Sequence, residues 1–219
     1  MIILTIITAL ITIICSPWKN AWWLHQIQAF WGRCFCYVFA IPVTVRGQEH
    51  IRKGQSYVFV SNHQSFYDVF LIYGWLPVVF KWLMKKELRR IPIVGWACKA
   101  AGHIFIDRRH ARSAAESIQA VEAELKDGVS TVIFPEGTRT SDGSIAPFKR
   151  GAFQIALDLN LPVIPLRIDG CYELMPKTKH WPKRCPISLT IGEEMDLTPY
   201  KNDPMKAAEV VKLKVESLE

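Results

Sequence analysis

His63 and Asp68, separated by four residues in the segment Asn62-His63-Gln64-Ser65-Phe66-Tyr67-Asp68, could together activate a hydroxyl group. Histidine titrates close to neutral pH and can accept a proton from an alcohol when a partner fixes its tautomer and stabilises the imidazolium. Asp68 is the candidate partner. The segment follows the apolar run Tyr57-Val58-Phe59-Val60. If Val60 ends a strand and Ser65 caps the next helix, His63 lies in the connecting turn and Asp68 in the first helical turn. An ordinary polar turn has the same appearance, and the pair alone supports either reading.

A second segment, Phe134-Pro135-Glu136-Gly137-Thr138-Arg139, follows the apolar run Thr131-Val132-Ile133. It too falls at the C-terminal end of a predicted strand, where open α/β sheets place their ligands. Glycine lets backbone amides approach an anion closely, and arginine can grip a phosphate with two parallel hydrogen bonds. The segment therefore reads as a phosphate site, although a turn with a surface arginine would look alike.

Taken together, these residues resemble the lysophosphatidic acid acyltransferase family, the 1-acyl-sn-glycerol-3-phosphate acyltransferases. Four family blocks occur in order: Asn62 to Asp68, which contains the His-x4-Asp; Gly102-His103-Ile104-Phe105-Ile106-Asp107-Arg108; Phe134 to Arg139; and Val163-Ile164-Pro165-Leu166. Connecting pieces match as well, notably Lys85-Lys86-Glu87-Leu88, Ile91-Pro92-Ile93-Val94-Gly95-Trp96 and Pro147-Phe148-Lys149-Arg150-Gly151-Ala152. The likeness extends from about Val58 to Leu166. In the fourth block isoleucine and leucine flank Pro165 where valine is frequent.

The resemblance implies an α/β fold, the glycerol-phosphate acyltransferase-like αβ sandwich. It also implies attack by a lysophospholipid hydroxyl on an acyl thioester of coenzyme A or acyl carrier protein, with His63 as general base and Asp68 orienting its ring. The first acceptor implied is lysophosphatidic acid, acylated at the sn-2 hydroxyl. Glycerol 3-phosphate and a phosphate-free lyso-aminolipid are the alternatives. No cofactor and no metal are implied. Arg139 is the first candidate for the acceptor phosphate and Lys85 the second, with Glu136, Gly137 and Thr138 shaping the pocket. Lys149 and Arg108 are further candidates, Arg108 reading equally as a surface charge. His103 lacks a carboxylate at comparable spacing and is expected to be structural. Ser65 is the rival nucleophile, but there is no Gly-x-Ser-x-Gly elbow and capping suits it better.

Composition agrees with a membrane-surface partner. The chain has 219 residues, half of them hydrophobic, and a formal charge of +7. Basic residues gather at Lys81, Lys85, Lys86, Arg89 and Arg90 and again at Arg108, Arg109 and Arg112. Beside an anionic leaflet each adds about 1 kcal/mol of attraction. Nucleic acid is rejected, because no stacking module or DNA-binding motif accompanies the charge. Met1 to Cys15 is uncharged and nearly all apolar, but at about 1.5 Å per residue it reaches only ~22 Å, short of a ~30 Å hydrocarbon core. After Ser16 and Pro17 a second helix is expected from about Ala21 to Ala40. It carries Trp23, Ile27, Phe30, Trp31, Cys34 and Val38 on one face and His25, Gln26, Gln28 and Arg33 on the other. Four of the eight tryptophans fall between Trp18 and Trp31, which suits the headgroup boundary and a membrane-embedded two-helix hairpin. A signal peptide is disfavoured by the lack of leading basic residues and of a small-x-small cleavage site.

The organisation expected is therefore a monotopic anchoring motif over residues 1–45 and a catalytic domain over 46–219, bound to the cell membrane with its active site facing the cytoplasm. The six cysteines, at positions 15, 34, 36, 98, 171 and 185, form neither a zinc nor a redox spacing and read as small core residues in a reducing compartment. Strands are expected at Tyr57 to Val60, Val78 to Phe80, Ile104 to Ile106, Thr131 to Phe134, Val163 to Ile168 and Ile187 to Ile191. Ala111 to Lys126 reads as an amphipathic helix packed on the sheet.

Overall fold

The computed structural model describes residues 1–18, 20–106, 119, 121–125 and 128–218. Seven strands form one sheet in the order β1-β7-β6-β2-β5-β3-β4: β1 (Val43–Arg46), β2 (Val58–Ser61), β3 (Phe80–Lys85), β4 (Ile104–Ile106), β5 (Ser130–Ile133), β6 (Val163–Asp169) and β7 (Ile187–Ile191). Pairing is parallel everywhere except between β6 and β7, so β1 and β7 run against the other five.

Side chains of the central strands alternate between two apolar layers, as the two-residue repeat of a strand requires. Tyr57 and Phe59 enter one core with Ile164, Leu166 and Ile168. Val58 and Val60 enter the other with Ile133 and Val163. Every residue of β2 is buried, as expected for a parallel strand covered on both faces. The first layer is closed by α3 (Tyr67–Trp75), with α2 (Ala21–Val38) packed outside it. The second is closed by α5 (Gly151–Asp158) and α7 (Pro204–Ser217). Helix α1 (Ile2–Cys15) lies against α2 and α4 (Val94–Ala100), and the short α6 (Cys171–Leu174) follows β6.

Three expectations change. The strand expected at Val78 to Phe80 begins at Phe80 and continues to Lys85. Lys81 and Lys85 had marked this stretch as a basic surface cluster, yet Lys81 is buried and its Nζ donates to the Ala101 carbonyl at 2.6 Å. β1 is an additional edge strand that four alternating half-exposed residues signalled weakly. Of the helix expected over Ala111 to Lys126, most lies outside the described residues, although 121–124 are helical and Val121 is buried.

The two N-terminal helices are present, but the face of α2 that docks carries Leu24, Ala29, Gly32 and Cys36 together with His25 from the expected polar stripe, while Arg33 of that stripe stays exposed. His25 is 5% exposed and meets Phe80 edge-on, whereas Trp23 is 61% and Phe30 62% exposed. On the apolar stripe Ile27, Trp31 and Cys34 are half-buried, Trp31 packing edge-on against Phe35, Phe70 and Tyr73. No helix among the described residues is long and apolar enough to cross a membrane. Docking depends on Gly32, where a Cβ would lie 2.6 Å from the Phe70 carbonyl oxygen in α3. Gly32→Ala is expected to force the helices apart, lowering unfolding stability by about 1–3 kcal/mol as overpacking does, readable as a lower thermal midpoint. An unchanged midpoint would show that the α2–α3 contact adds little to the folded state.

Candidate active site

β2, β5, β3 and β4 are consecutive neighbours running in one direction, so their C-terminal ends lie along the same sheet edge. Three of the motifs sit there: His63 just beyond β2, Glu136 to Arg139 just beyond β5, and Lys85 at the end of β3. Residues far apart in sequence are thereby brought together where parallel sheets bind ligands.

His63 Nδ1 lies 2.8 Å from Asp68 Oδ2. Asp68 is fully buried in the first turn of α3, and the same oxygen accepts the backbone N–H groups of Gln64 at 2.6 Å and Ser65 at 2.8 Å. An ionised carboxylate only accepts, so Nδ1 carries the ring proton and Nε2 is left as a base. The imidazole also stacks on Phe134, with centroids 3.9 Å apart and planes inclined by 10°. Its side chain is 17% exposed, so the ring is packed yet reachable.

Glu136 holds the backbone beneath this ring. Its carboxylate accepts from His63 N at 2.6 Å and from Ala146 N at 2.9 Å, and Thr140 N donates to the His63 carbonyl at 3.0 Å. Glu136 is 3% exposed, and burial pushes its carboxyl above the ordinary range against the pull of these hydrogen bonds. A negative group turned inward cannot grip a phosphate, so the structure gives Glu136 the part of a clamp that shapes the loop. Gly137, at φ 76°, makes the turn that follows. Asn62 clamps from the other side, its amide exchanging two hydrogen bonds of 2.8 Å with the Ile168 backbone. Asn62 and the Phe134 ring were visible in the motifs, but only their burial reveals what they do.

The site opens on a cavity of about 560 Å³, within the ~300–1,000 Å³ typical of small-molecule pockets. His63, Phe134, Gly137, Arg139 and Lys85 form part of its wall. The remainder is mainly apolar and comes from α1 (Thr5, Thr8, Ala9, Thr12), Trp31, Val69, Leu83, Leu88, Ile91, Val94 and Ala97. That α1 would form a wall of the site was not foreseen, since its sequence reads only as an apolar helix. Thr138 and Lys149 are exposed and stand off this wall, and Arg108 lies outside the described residues. Lys85 has an ion pair of 3.9 Å with Glu87. Ser65 Oγ donates to the Met175 carbonyl at 2.7 Å and accepts from Tyr67 N at 3.2 Å, an arrangement that serves the start of α3 and leaves no base beside the hydroxyl.

His103 is buried and lies on the cavity wall. Its Nδ1 accepts from Trp82 N at 3.2 Å and its Nε2 pairs with Tyr73 OH at 2.7 Å. Burial first, then the positive charge of Lys81, bring its pKa down to about 3.

Comparison with known proteins bears on this site. A family model described as Acyltransferase matches residues 42–169, and the chain belongs to that family. It is 35% identical over 81% of its length to a 1-acyl-sn-glycerol-3-phosphate acyltransferase of Chlamydomonas reinhardtii, covering 53% of that protein. It is 33% identical over 86% of its length to a 1-acyl-sn-glycerol-3-phosphate acyltransferase of Cocos nucifera, covering 62% of it. The chain thus spans between half and two thirds of these relatives. The crystal structure of the 1-acyl-sn-glycerophosphate (LPA) acyltransferase PlsC from Thermotoga maritima superposes with a TM-score of 0.76 at 32% identity, covering 91% of this chain and 81% of that one.

Two outcomes test the geometry. Glu136→Ala leaves the His63 and Ala146 N–H groups unpaired, at about 1–3 kcal/mol each. The thermal midpoint should fall, with Glu136→Gln recovering part; an unchanged midpoint in Glu136→Ala would exclude the clamp. For His103, a folded pKa of about 3 against the ordinary 6.5 means that the unfolded chain takes the proton first on acidification. The stability contribution is complete above pH 6.5 and is lost toward pH 3, at up to about 1.4 kcal/mol per pH unit. In urea unfolding, His103→Gln should be less acid-sensitive than wild type between pH 6.5 and 4; parallel pH profiles would contradict a neutral buried ring.

Proposed function

We propose that the chain transfers an acyl group from acyl coenzyme A or acyl carrier protein to the sn-2 hydroxyl of lysophosphatidic acid, yielding phosphatidic acid and a free thiol in phospholipid biosynthesis. The observation that carries this reading is the opening of one apolar cavity onto both a base and two cations, His63 beside Arg139 and Lys85.

The chemistry follows from that arrangement. The acceptor phosphate is held by Arg139 and Lys85, with the Gly137 turn shaping the loop between them, and this fixes the free hydroxyl beside His63. Nε2 takes the hydroxyl proton as the oxygen attacks the thioester carbonyl carbon. The imidazolium is stabilised by Asp68 through Nδ1. Collapse of the tetrahedral intermediate breaks the carbon–sulfur bond, and the thiolate recovers the proton from Nε2. No acyl-enzyme is required. The acyl chain lies in the apolar part of the cavity, shielded from water, which gains about 0.8 kcal/mol for each methylene buried.

Attachment to one membrane leaflet completes the reading. Ile3 and Trp18 are each 73% exposed and Trp96 is 59%. Together with the outer faces of α1 and α2 they offer an apolar surface beside the cavity mouth, through which a lipid chain can enter from the bilayer. The resulting attachment is monotopic, with the site facing the cytoplasm, where both acyl carriers are supplied.

The test incubates purified protein with lysophosphatidic acid, glycerol 3-phosphate or a lyso-aminolipid, supplying each acyl donor in turn and identifying products by mass. Phosphatidic acid is the product expected. His63→Ala should abolish transfer with the fold retained. Arg139→Ala should reduce transfer to lysophosphatidic acid at least tenfold, with Arg139→Lys intermediate, because lysine keeps the charge but loses the two-pronged contact. A wild-type preference for the lyso-aminolipid that survives in Arg139→Ala would overturn the acceptor assignment.

A further inference from the structure

A second pocket, of about 120 Å³, lies on another face of α2, between that helix and the turn that leads from α3 into β3. It shares only Tyr73 with the large cavity. Its wall includes Trp22, His25, Gln26 and Arg33 from successive turns of α2. We propose that this pocket binds the phosphate group of an anionic phospholipid, at a site separate from the one that holds His63.

Three observations support an anion there. His25 is 5% exposed and its Nδ1 has no hydrogen-bond partner among the described residues, a buried polar atom that a ligand would satisfy. Arg33 Nε donates to the Gly74 carbonyl at 2.7 Å, while its terminal nitrogens make no hydrogen bond to any described residue. No aspartate or glutamate belongs to the wall. The charges of Lys81 and Arg33 reinforce burial in bringing the His25 pKa down to about 4, so this place is positive before any ligand arrives. Glu124 acts on Lys81 in the opposite sense. At neutral pH the uncharged imidazole can still donate one N–H, and the guanidinium can supply two more in its fork geometry.

Size and position favour a lipid headgroup over a larger anion. The volume equals that of about four liquid waters, enough for a phosphate group and too small for an acyl chain. Trp22, at the rim, is 53% exposed and packs edge-on against the exposed Trp23 at 5.0 Å. Paired tryptophans of this kind settle at the headgroup level of a bilayer. The lipid assignment rests on the membrane-attached reading given above, whereas the anion site does not.

The test uses the full chain with 13C-labelled histidine in uncharged detergent, the His25 ring signal being assigned through its loss in His25→Gln. Inorganic phosphate, a short-chain diether phosphatidylglycerol and the matching phosphatidylcholine are titrated separately. Phosphatidylglycerol should shift the His25 signal saturably, at a concentration at least tenfold below that needed with phosphate, and phosphatidylcholine should do so far more weakly. Trp22→Ala should weaken the lipid and leave phosphate unaffected, while Arg33→Gln should weaken both at least tenfold. Arg139→Ala, which removes a cation from the other site, should leave the His25 shift in place. Absence of a saturable shift with either anion would overturn the site. Phosphate binding as tightly as phosphatidylglycerol, or equal binding of phosphatidylcholine, would overturn the lipid assignment. If the protein fails to float with vesicles yet phosphate still shifts His25, the membrane reading fails and the anion site stands.

Discussion

A single oxygen atom, Oδ2 of Asp68, accepts hydrogen bonds from the His63 ring and from the backbone of Gln64 and Ser65. The catalytic candidate and the turn that carries it are thus held by the same charge. Hydrogen bonds to an ionised group are worth about 1.5–3 kcal/mol each, and here they are made without solvent competition. The turn cannot relax without disturbing the imidazole, nor the imidazole rotate without removing one of the three donors to Oδ2 of a carboxylate whose other oxygen has no partner among the described residues. Below this charge, Cys171 stays protonated, its thiol pushed up by burial and then by Asp68 itself.

The parallel sheet supplies the next level of constraint. Strands β2, β5 and β3 are adjacent although they are not consecutive in the chain, so the segments after them converge without any direct contact between motifs in sequence. Glu136 turns that proximity into rigidity. By accepting from His63 N and Ala146 N it ties the loop after β5 to the turn after β2, and Asn62 ties that same turn to β6. Base and cation loop are fixed to one another through buried polar groups, the arrangement that proximity catalysis demands.

Much of this was legible in the sequence because the chemistry sits in short, local motifs. The His63 and Asp68 spacing suits a turn-to-helix junction, the other motifs decided between that and a polar turn, and five of the six expected strands lie within one residue of their observed bounds. What was illegible depended on tertiary burial. Lys81 looked like part of a basic surface, since nothing local shows that the Ala101 carbonyl awaits its ammonium group. Glu136 was expected to shape the pocket, but only the folded structure reveals that its carboxylate accepts from two backbone N–H groups. His25 reads as solvent-facing on any helical wheel, yet it is buried together with Leu24, Ala29, Gly32 and Cys36, while Arg33 on the same polar stripe stays exposed.

The way α2 docks connects the N-terminus to function. With Leu24, His25, Ala29, Gly32 and Cys36 against its own domain, Trp23 and Phe30 are left exposed for another phase. Helix α1 at the same time forms one wall of the large cavity through Thr5, Thr8, Ala9 and Thr12. Two of the threonine hydroxyls are satisfied within or near the helix, Thr12 to the Thr8 carbonyl at 2.8 Å and Thr5 to the Met1 carbonyl at 3.2 Å, with the Trp31 indole donating to Thr5 at 3.1 Å. These two can therefore face an apolar chain without an unpaired donor. The segment that reads as an anchor also lines the cavity, and under the proposed membrane attachment the two roles are physically coupled: a shift of α1 would change the wall that an acyl chain would touch, while the sheet edge that carries His63 stays where the parallel strands hold it.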